Sequence, residues 1–220
     1  MEEPPMTTRT FLHRGVLGAC ALALSVGMLQ AQADDGALYG PKAPKGSAFV
    51  RAYNASSAEL DVNVGEAQLK QVGPLGSSDF KFLPAGSYQA QVGNTQLPVQ
   101  LQADRYYTLV SQTGAAPRLV EEPPFTSRQK ALLRVQNLSG STLSLKTADG
   151  KTDVVADVKP DGRGDREINP VKVGLALFDG ERKVADLKPV TLARGEVVCL
   201  YITDAQGKLS PVWVKRPADS

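Results

Sequence analysis

Residues 47–62, SAFVRAYNASSAELDV, can be laid without gaps over residues 130–145, KALLRVQNLSGSTLSL. Ala48, Arg51, Asn54, Ser56 and Leu60 recur as Ala131, Arg134, Asn137, Ser139 and Leu143. Apolar character is kept at Phe49/Leu132, Val50/Leu133, Ala52/Val135 and Val62/Leu145. Further along, Asp79, Pro84 and Ala90 match Asp165, Pro170 and Ala176 after a small shift. Each copy then closes on an apolar strand, 106–111 and 197–203. The matched order of elements marks a duplication, so one module is used twice.

Within each copy the apolar residues come in short, strand-like runs. Phe80-Lys81-Phe82 and Leu143-Ser144-Leu145 alternate, while Leu175-Ala176-Leu177-Phe178 is continuous and suits fuller burial. Turn signals punctuate the runs: Gly73-Pro74, Pro84-Ala85-Gly86, Gly93-Asn94, Ala148-Asp149-Gly150, Asp179-Gly180 and Gln206-Gly207. No window after Asp34 holds a 3.6-residue stripe of helical length. Short strands that are apolar on one face must bury that face against a second sheet. The expected fold is all-β, with two tandem antiparallel β-sandwich domains of about 80–90 residues each. The phrase from Leu83 to Val92, LPAGSYQAQV, resembles a hairpin common in transthyretin-like and immunoglobulin-like sandwiches. Between the copies, Glu121-Glu122-Pro123-Pro124 cannot be helical, because proline lacks an amide donor and forces its predecessor to extend. The expected layout is an N-terminal sandwich over 34–120, a short stiff linker over 121–127 and a C-terminal sandwich over 128–220.

Residues 1–33 read as a secretory signal peptide. Arg9 and Arg14 supply positive charge, Val16 to Leu29 form an apolar run, and Ala31-Gln32-Ala33 is the small-x-small pattern that signal peptidase cleaves. That run is shorter than the ~20 residues a spanning helix needs. Leu17-Gly18-Ala19-Cys20 mimics a lipid-attachment box, but the apolar run continues past Cys20 where a lipoprotein turns polar. Met1-Glu2-Glu3-Pro4-Pro5 is acidic and unlike a signal start, so Met1 and Met6 are both candidate initiators.

Cleavage after Ala33 removes His13, the one histidine. Its loss takes away the usual general base near neutral pH, the usual orienter of a serine or cysteine nucleophile, and the commonest metal ligand. A net charge of +2 gives no electrostatic case for nucleic acid. Only Cys199 follows the cleavage site, so no internal disulfide can form, and its apolar run EVVCLYI suits a buried, inert thiol. No catalytic residue, metal site or cofactor is therefore expected, and the chain reads as a non-enzyme.

Several motifs have plain structural readings. Asn54-Ala55-Ser56 and Asn137-Leu138-Ser139 fit the glycosylation pattern, yet both stand where a strand ends, and an Asn side chain starting a turn explains them. Arg163-Gly164-Asp165 follows Pro160-Asp161-Gly162 and reads as a loop. Asp149-Gly150-Lys151-Thr152-Asp153 is too short for a calcium loop. Sugar modules stack pyranose rings on exposed aromatics, and the candidates here are Tyr53, Tyr106, Tyr107 and Trp213, with Tyr39 further upstream. Tyr106 and Tyr107 are neighbours on a strand and point to opposite faces.

The stretch from Asp34 to Ala55, DDGALYGPKAPKGSAFVRAYNA, resembles the opening of the AlgF family of alginate O-acetylation proteins. Leu38-Tyr39-Gly40-Pro41 and the Gly46-Ser47-x-Phe49-Val50-Arg51 strand carry most of the likeness. Length, signal peptide and tandem layout agree across nearly the whole chain, and the second half is similar mainly in pattern. The resemblance implies a periplasmic protein of the machinery that acetylates mannuronate residues of alginate. In that family the transfer itself belongs to AlgJ- and AlgX-like partners, fed by an AlgI-like membrane protein. It implies a non-catalytic adaptor that docks on or links those enzymes. The alternatives are a carbohydrate-binding module presenting alginate, and an acetyl carrier using Ser, Thr or Lys. Tyr39, Pro41 and Lys42, in an extended segment before the first strand, are the expected partner-binding residues. Intact mass of the periplasmic protein should correspond to a start at Asp34, and a lipidated N-terminal cysteine at Cys20 would overturn that assignment.

Overall fold

The computed structural model describes residues 43–205 and 208–217, and among them every regular element is a strand. The expected signal peptide, and Tyr39, Pro41 and Lys42, lie outside the described residues. The first half contains β1 (Ser47–Ala55), β2 (Leu60–Val64), β3 (Ala67–Val72), β4 (Gly76–Ser77), β5 (Lys81–Pro84), β6 (Gly86–Val92), β7 (Thr95–Leu101), β8 (Tyr106–Gln112) and β9 (Arg118–Glu122). The second contains β10 (Ala131–Asn137), β11 (Leu143–Thr147), β12 (Asp153–Val158), β13 (Arg163–Ile168) and β14 (Val171–Val173). It continues through β15 (Leu175–Asp179), β16 (Arg182–Asp186), β17 (Val190–Leu192), β18 (Glu196–Ala205) and β19 (Lys208–Pro217).

Two sheets make up the first half. One runs β1-β8-β9 with β4 and β5 paired in turn along the free side of β1, and the other runs β3-β2-β6-β7. The second half repeats this order strand for strand as β13-β10-β18-β19 and β12-β11-β15-β16, adding a small β14-β17 ladder. The duplication visible in the sequence is thus a duplication of topology. One expectation needs correction: the sheets are not wholly antiparallel. The first strand of each half runs parallel to its last long apolar strand, β1 beside β8 and β10 beside β18. Parallel neighbours need a long connection, and here the strands of the opposite sheet supply it.

Alternation along β1 sends Ala48, Val50 and Ala52 into a core shared with Val62, Leu69, Val92 and Leu101 of the other sheet. In the second half Leu133, Val135, Val198 and Leu200 do the same with Leu145, Val155 and Leu177. The opposite faces of β1 and β10 are buried as well. Tyr53, Ala55 and Val110 form one apolar cluster with Leu138, Cys199, Tyr201 and Val214 of the second half. The β1-β8 sheet and the β10-β18 sheet therefore pack back to back, which is why all seven residues of β10 are buried.

Asn54 and Asn137 close the first turn of each half in the same way. The Asn54 amide donates to the Ala58 and Val72 carbonyls at 2.7 and 2.8 Å, and Asn137 donates to those of Ser141 and Val158 at 2.7 and 2.9 Å. Each carboxamide oxygen accepts from the serine two residues on, from backbone N–H and hydroxyl together. These are Asx turns that tie one sheet to the other, as the duplicated Asn-x-Ser suggested.

Two further segments differ from expectation. Arg163-Gly164-Asp165 begins strand β13 instead of forming a loop. A side chain at Gly164 would lie 2.3 Å from Val155, so only glycine lets β12 approach there. Glu121 and Glu122, expected in the linker, finish β9, and Phe125 beyond them is buried on Leu132 and Val197. Replacing Asn54 or Asn137 by Ala leaves one interior carbonyl, that of Val72 or Val158, without its side-chain donor, at about 1–3 kcal/mol for the orphaned group. Urea titration of either variant should show that loss, and an unchanged midpoint would contradict the role given to the turn.

Candidate functional site

On β1 the positions that face the second half are Phe49, Arg51 and Tyr53; on β10 they are Leu132, Arg134 and Gln136. The recurring arginine of the repeat therefore points into the junction from both sides. Both guanidinium groups are almost completely buried, at 2 and 1 % exposure. Buried charge is tolerated only with a counter-charge and a full set of hydrogen bonds. Glu122, the last residue of β9, supplies the counter-charge.

Glu122 Oε1 accepts from Arg51 Nη2 at 2.5 Å, from the Thr108 hydroxyl at 2.6 Å and from the Tyr201 hydroxyl at 2.8 Å. Its Oε2 accepts from Arg216 Nε at 3.4 Å and lies 3.9 Å from Arg134 Nη1. Arg134 in turn makes a two-pronged pair with Asp165, at 2.8 and 2.7 Å, and donates to the Pro123 carbonyl. Beside this network the rings of Tyr53 and Tyr201 stack at 4.7 Å. Burial by itself pushes the Glu122 carboxyl pKa up. Arg51, the two hydroxyl donors and Arg216 reverse that and hold it at about 2.

The cluster has the parts of a reactive site but not the behaviour. Thr108 donates to a carboxylate, as a hydroxyl nucleophile would to its base, yet Thr108 and Glu122 are sealed from solvent at 0 and 1 % exposure. A carboxylate held at about 2 is also a poor base near neutral pH. Burial first, and Glu122 second, push the Cys199 thiol far above its ordinary range, so it stays protonated and unreactive. Among the described residues no group of three or more His, Cys, Asp or Glu side chains is placed to hold a metal. The network is a structural joint and not an active site.

The sugar-stacking candidates fall in three different settings. Tyr53 and Tyr107 are interior, at 0 and 3 % exposure, and offer no face to a pyranose. The half-buried Tyr106 is stacked on Phe49 at 4.5 Å and lies under the Arg216 guanidinium at 4.2 Å, so its two faces are occupied. Trp213 packs on the second core and donates from Nε1 to the Lys188 carbonyl. The structure does not bring these four side chains to one surface.

What it gathers instead is an aromatic row at one end of the junction. Phe82 on β5 pairs with Phe49 on β1, which pairs with Tyr106 on β8, and Phe80 meets Tyr106 edge-on at 5.1 Å. Phe82 stays 36 % exposed. The Phe80-Lys81-Phe82 alternation was visible in the sequence, but these rings face away from the core, and Leu83 is the residue that enters it. Glu122 was not legible as a site residue. Its one signal was the arginine kept at the same non-core position in both copies.

The model of the AlgF family, described as alginate O-acetyl transferase AlgF, matches residues 21–199. The alginate biosynthesis protein AlgF of Pseudomonas aeruginosa is 71% identical over 213 residues, 97% of this chain and 97% of its own. That of Azotobacter vinelandii is 65% identical over 207 residues, 93% of this chain and 95% of its own. Among solved structures, the C-terminal domain of AlgF from P. aeruginosa is 81% identical and covers 40% of this chain and 99% of that one, with a TM-score of 0.38. The N-terminal domain from the same source is 70% identical, with coverages of 37% and 100% and a TM-score of 0.34.

The depressed Glu122 pKa sets a direction for acid stability. The carboxylate's contribution is complete above its ordinary value of 4.5 and is lost as the pH falls through about 2. Glu122→Ala should cost about 3–5 kcal/mol at pH 7, since it leaves buried guanidinium groups uncompensated. Chemical denaturation from pH 7 to pH 2 should show that penalty shrinking towards acid, and a penalty independent of pH would refute the assignment.

Proposed function

The chain belongs to the AlgF family, and from that premise we propose that it is a non-catalytic periplasmic adaptor in alginate O-acetylation, built of two β-sandwiches. It docks on or links the components that acetylate mannuronate residues, with AlgJ-, AlgX- and AlgI-like proteins as partners. The buried chemistry is consumed in holding the halves together, so the working surface lies outside the junction.

The observation that carries this reading concerns exposed apolar side chains. Among the described residues the exposed large hydrophobics are Leu75 at 45 %, Phe82 at 36 % and Val171 at 44 %. Leu75 stands immediately before β4 and Phe82 lies within β5, the two pieces of the broken edge strand beside β1. Leu75 sits in the Gly73–Gly76 turn at φ +54°, a left-handed conformation that suits glycine and strains a bulky side chain. A strained backbone that holds an apolar side chain out in solvent is a mark of function. Beside it, β5 has one side without a strand partner among the described residues, able to accept a strand through main-chain hydrogen bonds. Phe82, at the exposed end of the aromatic row, gives such a partner a hydrophobic contact, and aromatic anchors of this kind carry much of an interface's energy.

Leu75→Gly with Phe82→Ser relieves the strained turn and removes both exposed anchors. Co-purification with the AlgJ- and AlgX-like partners should fall about tenfold or more, equivalent to about 1.4 kcal/mol. The melting temperature should stay near that of the unaltered protein. Full partner recovery by this variant would remove the support for the β4–β5 edge as the docking surface.

A further inference from the structure

Glu122 lies on the first half, yet most of its junction partners come from the second. Arg51 and Thr108 reach it from β1 and β8, while Tyr201, Arg216 and Arg134 reach it from β18, β19 and β10. One carboxylate thus closes a ring of contacts through five strands of two sheets. We infer that Glu122 is a latch that fixes the two halves as a single rigid body, and that it acts as a positioning residue for the bridging role without touching a partner. This rests on the adaptor reading only for its functional consequence; the rigidity itself is a property of the chain.

Three features make the joint a latch instead of a sliding contact. The first is registry. Apolar faces can slip by a residue at small cost, but a desolvated carboxylate between three guanidinium groups has one low-energy position, because any shift leaves a buried charge unpaired. The second is the absence of slack in the crossing chain. Glu122 is anchored in the first half, the Pro123 carbonyl accepts twice from Arg134, and Phe125 is already buried on Leu132 and Val197. Two prolines stiffen the few residues between. The third is a rim of contacts that repeats the crossing away from the centre. Gln112 donates to the Asp204 carbonyl at 2.7 Å, Arg118 donates to the Leu138 carbonyl and pairs with Asp161, and Arg163 donates to the Glu121 carbonyl at 3.3 Å. Opening the joint would break all of these together.

A rigid spacer suits a protein that holds two partners at once. Fixed geometry keeps the second partner at high effective concentration once the first is bound, whereas a loose hinge dilutes it over many orientations. On this view, weakening the latch would leave each docking contact intact and reduce only their joint action.

The test uses the full chain with Glu122 unchanged, as Glu122→Ala, and as Tyr201→Phe, which deletes one hydroxyl donor and keeps the ring stack. Backbone 15N relaxation should give both halves of the unaltered protein one common rotational correlation time. In Glu122→Ala the two halves should tumble separately and faster, while amide shifts inside each core, such as those of Val50 and Leu133, stay in place. Tyr201→Phe should fall between the two, which keeps the idea testable if the alanine variant does not fold. Separate tumbling in the unaltered protein, or common tumbling in a folded Glu122→Ala chain, would overturn the latch. In cells, the loosened variants should still recover each partner singly and yet acetylate less polymer. Normal acetylation by a chain shown to tumble as two bodies would overturn the positioning role, whatever the fate of the docking surface.

Discussion

A carboxylate moved out of water costs several kcal/mol unless charge and hydrogen-bond donors meet it in full, and the joint around Glu122 is organised by that requirement. Oε1 takes a guanidinium and two hydroxyls; Oε2 faces two more guanidinium groups. Each donor must come from a strand that is itself fixed, so the demand spreads outward. Arg51 must face away from its own core, which sets the parity of β1. Tyr201 must do the same on β18, and its ring then stacks on Tyr53. Arg134, only peripherally engaged with Glu122, needs a second anion, and Asp165 on β13 provides it. The back-to-back packing of the two central sheets follows from these placements together with the apolar residues between them.

The duplication shows which parts of a module resist change. The Asn-x-Ser turn survives in both copies because its Asn satisfies one carbonyl of the turn and one of the opposite sheet, and cannot be replaced by a residue that only donates or only accepts. The arginine survives for a different reason: after duplication both copies face the same joint. The residues opposite them have diverged, with Thr108 beside Arg51 and Cys199 beside Arg134 in the strand register. Thr108 contributes a hydrogen bond to Glu122, while Cys199 contributes bulk to the apolar part of the joint. Two halves that began alike have thus taken up complementary sides of one interface.

The all-β class, the turn positions and the repeat were legible because each rests on local chemistry: alternation, glycine and proline, and matched side chains. The parallel pairing of β1 with β8 was hidden, because nothing in either strand marks the direction of a neighbour more than fifty residues away. Tyr53 and Tyr107 read as possible sugar platforms because exposure depends on what covers a strand: the other half covers Tyr53, and Tyr107 enters the core of its own half. Glu122 read as part of a spacer since the proline signal beside it is strong, and strand pairing overrode it. Phe80 and Phe82 showed their alternation plainly, but a period of two identifies a face without saying which face is the core.

The parallel pairing also orders events when the chain is made. A module whose first strand is held by its second-to-last cannot close until nearly all of it is present. Arg51 waits 57 residues for Thr108, and Glu122 waits 79 for Tyr201 and 94 for Arg216. Contacts so distant in sequence slow folding, since the loop must be closed before they form. As the chain emerges N-terminus first, β1 has only the short β4 and β5 beside it until β8 arrives, and the outer face of the first half stays uncovered until β18 and β19 follow. The growing polypeptide therefore passes through a long interval of exposed strand edges, in which a holding chaperone has most to bind, and a chain stopped short of Arg216 would never complete its central joint.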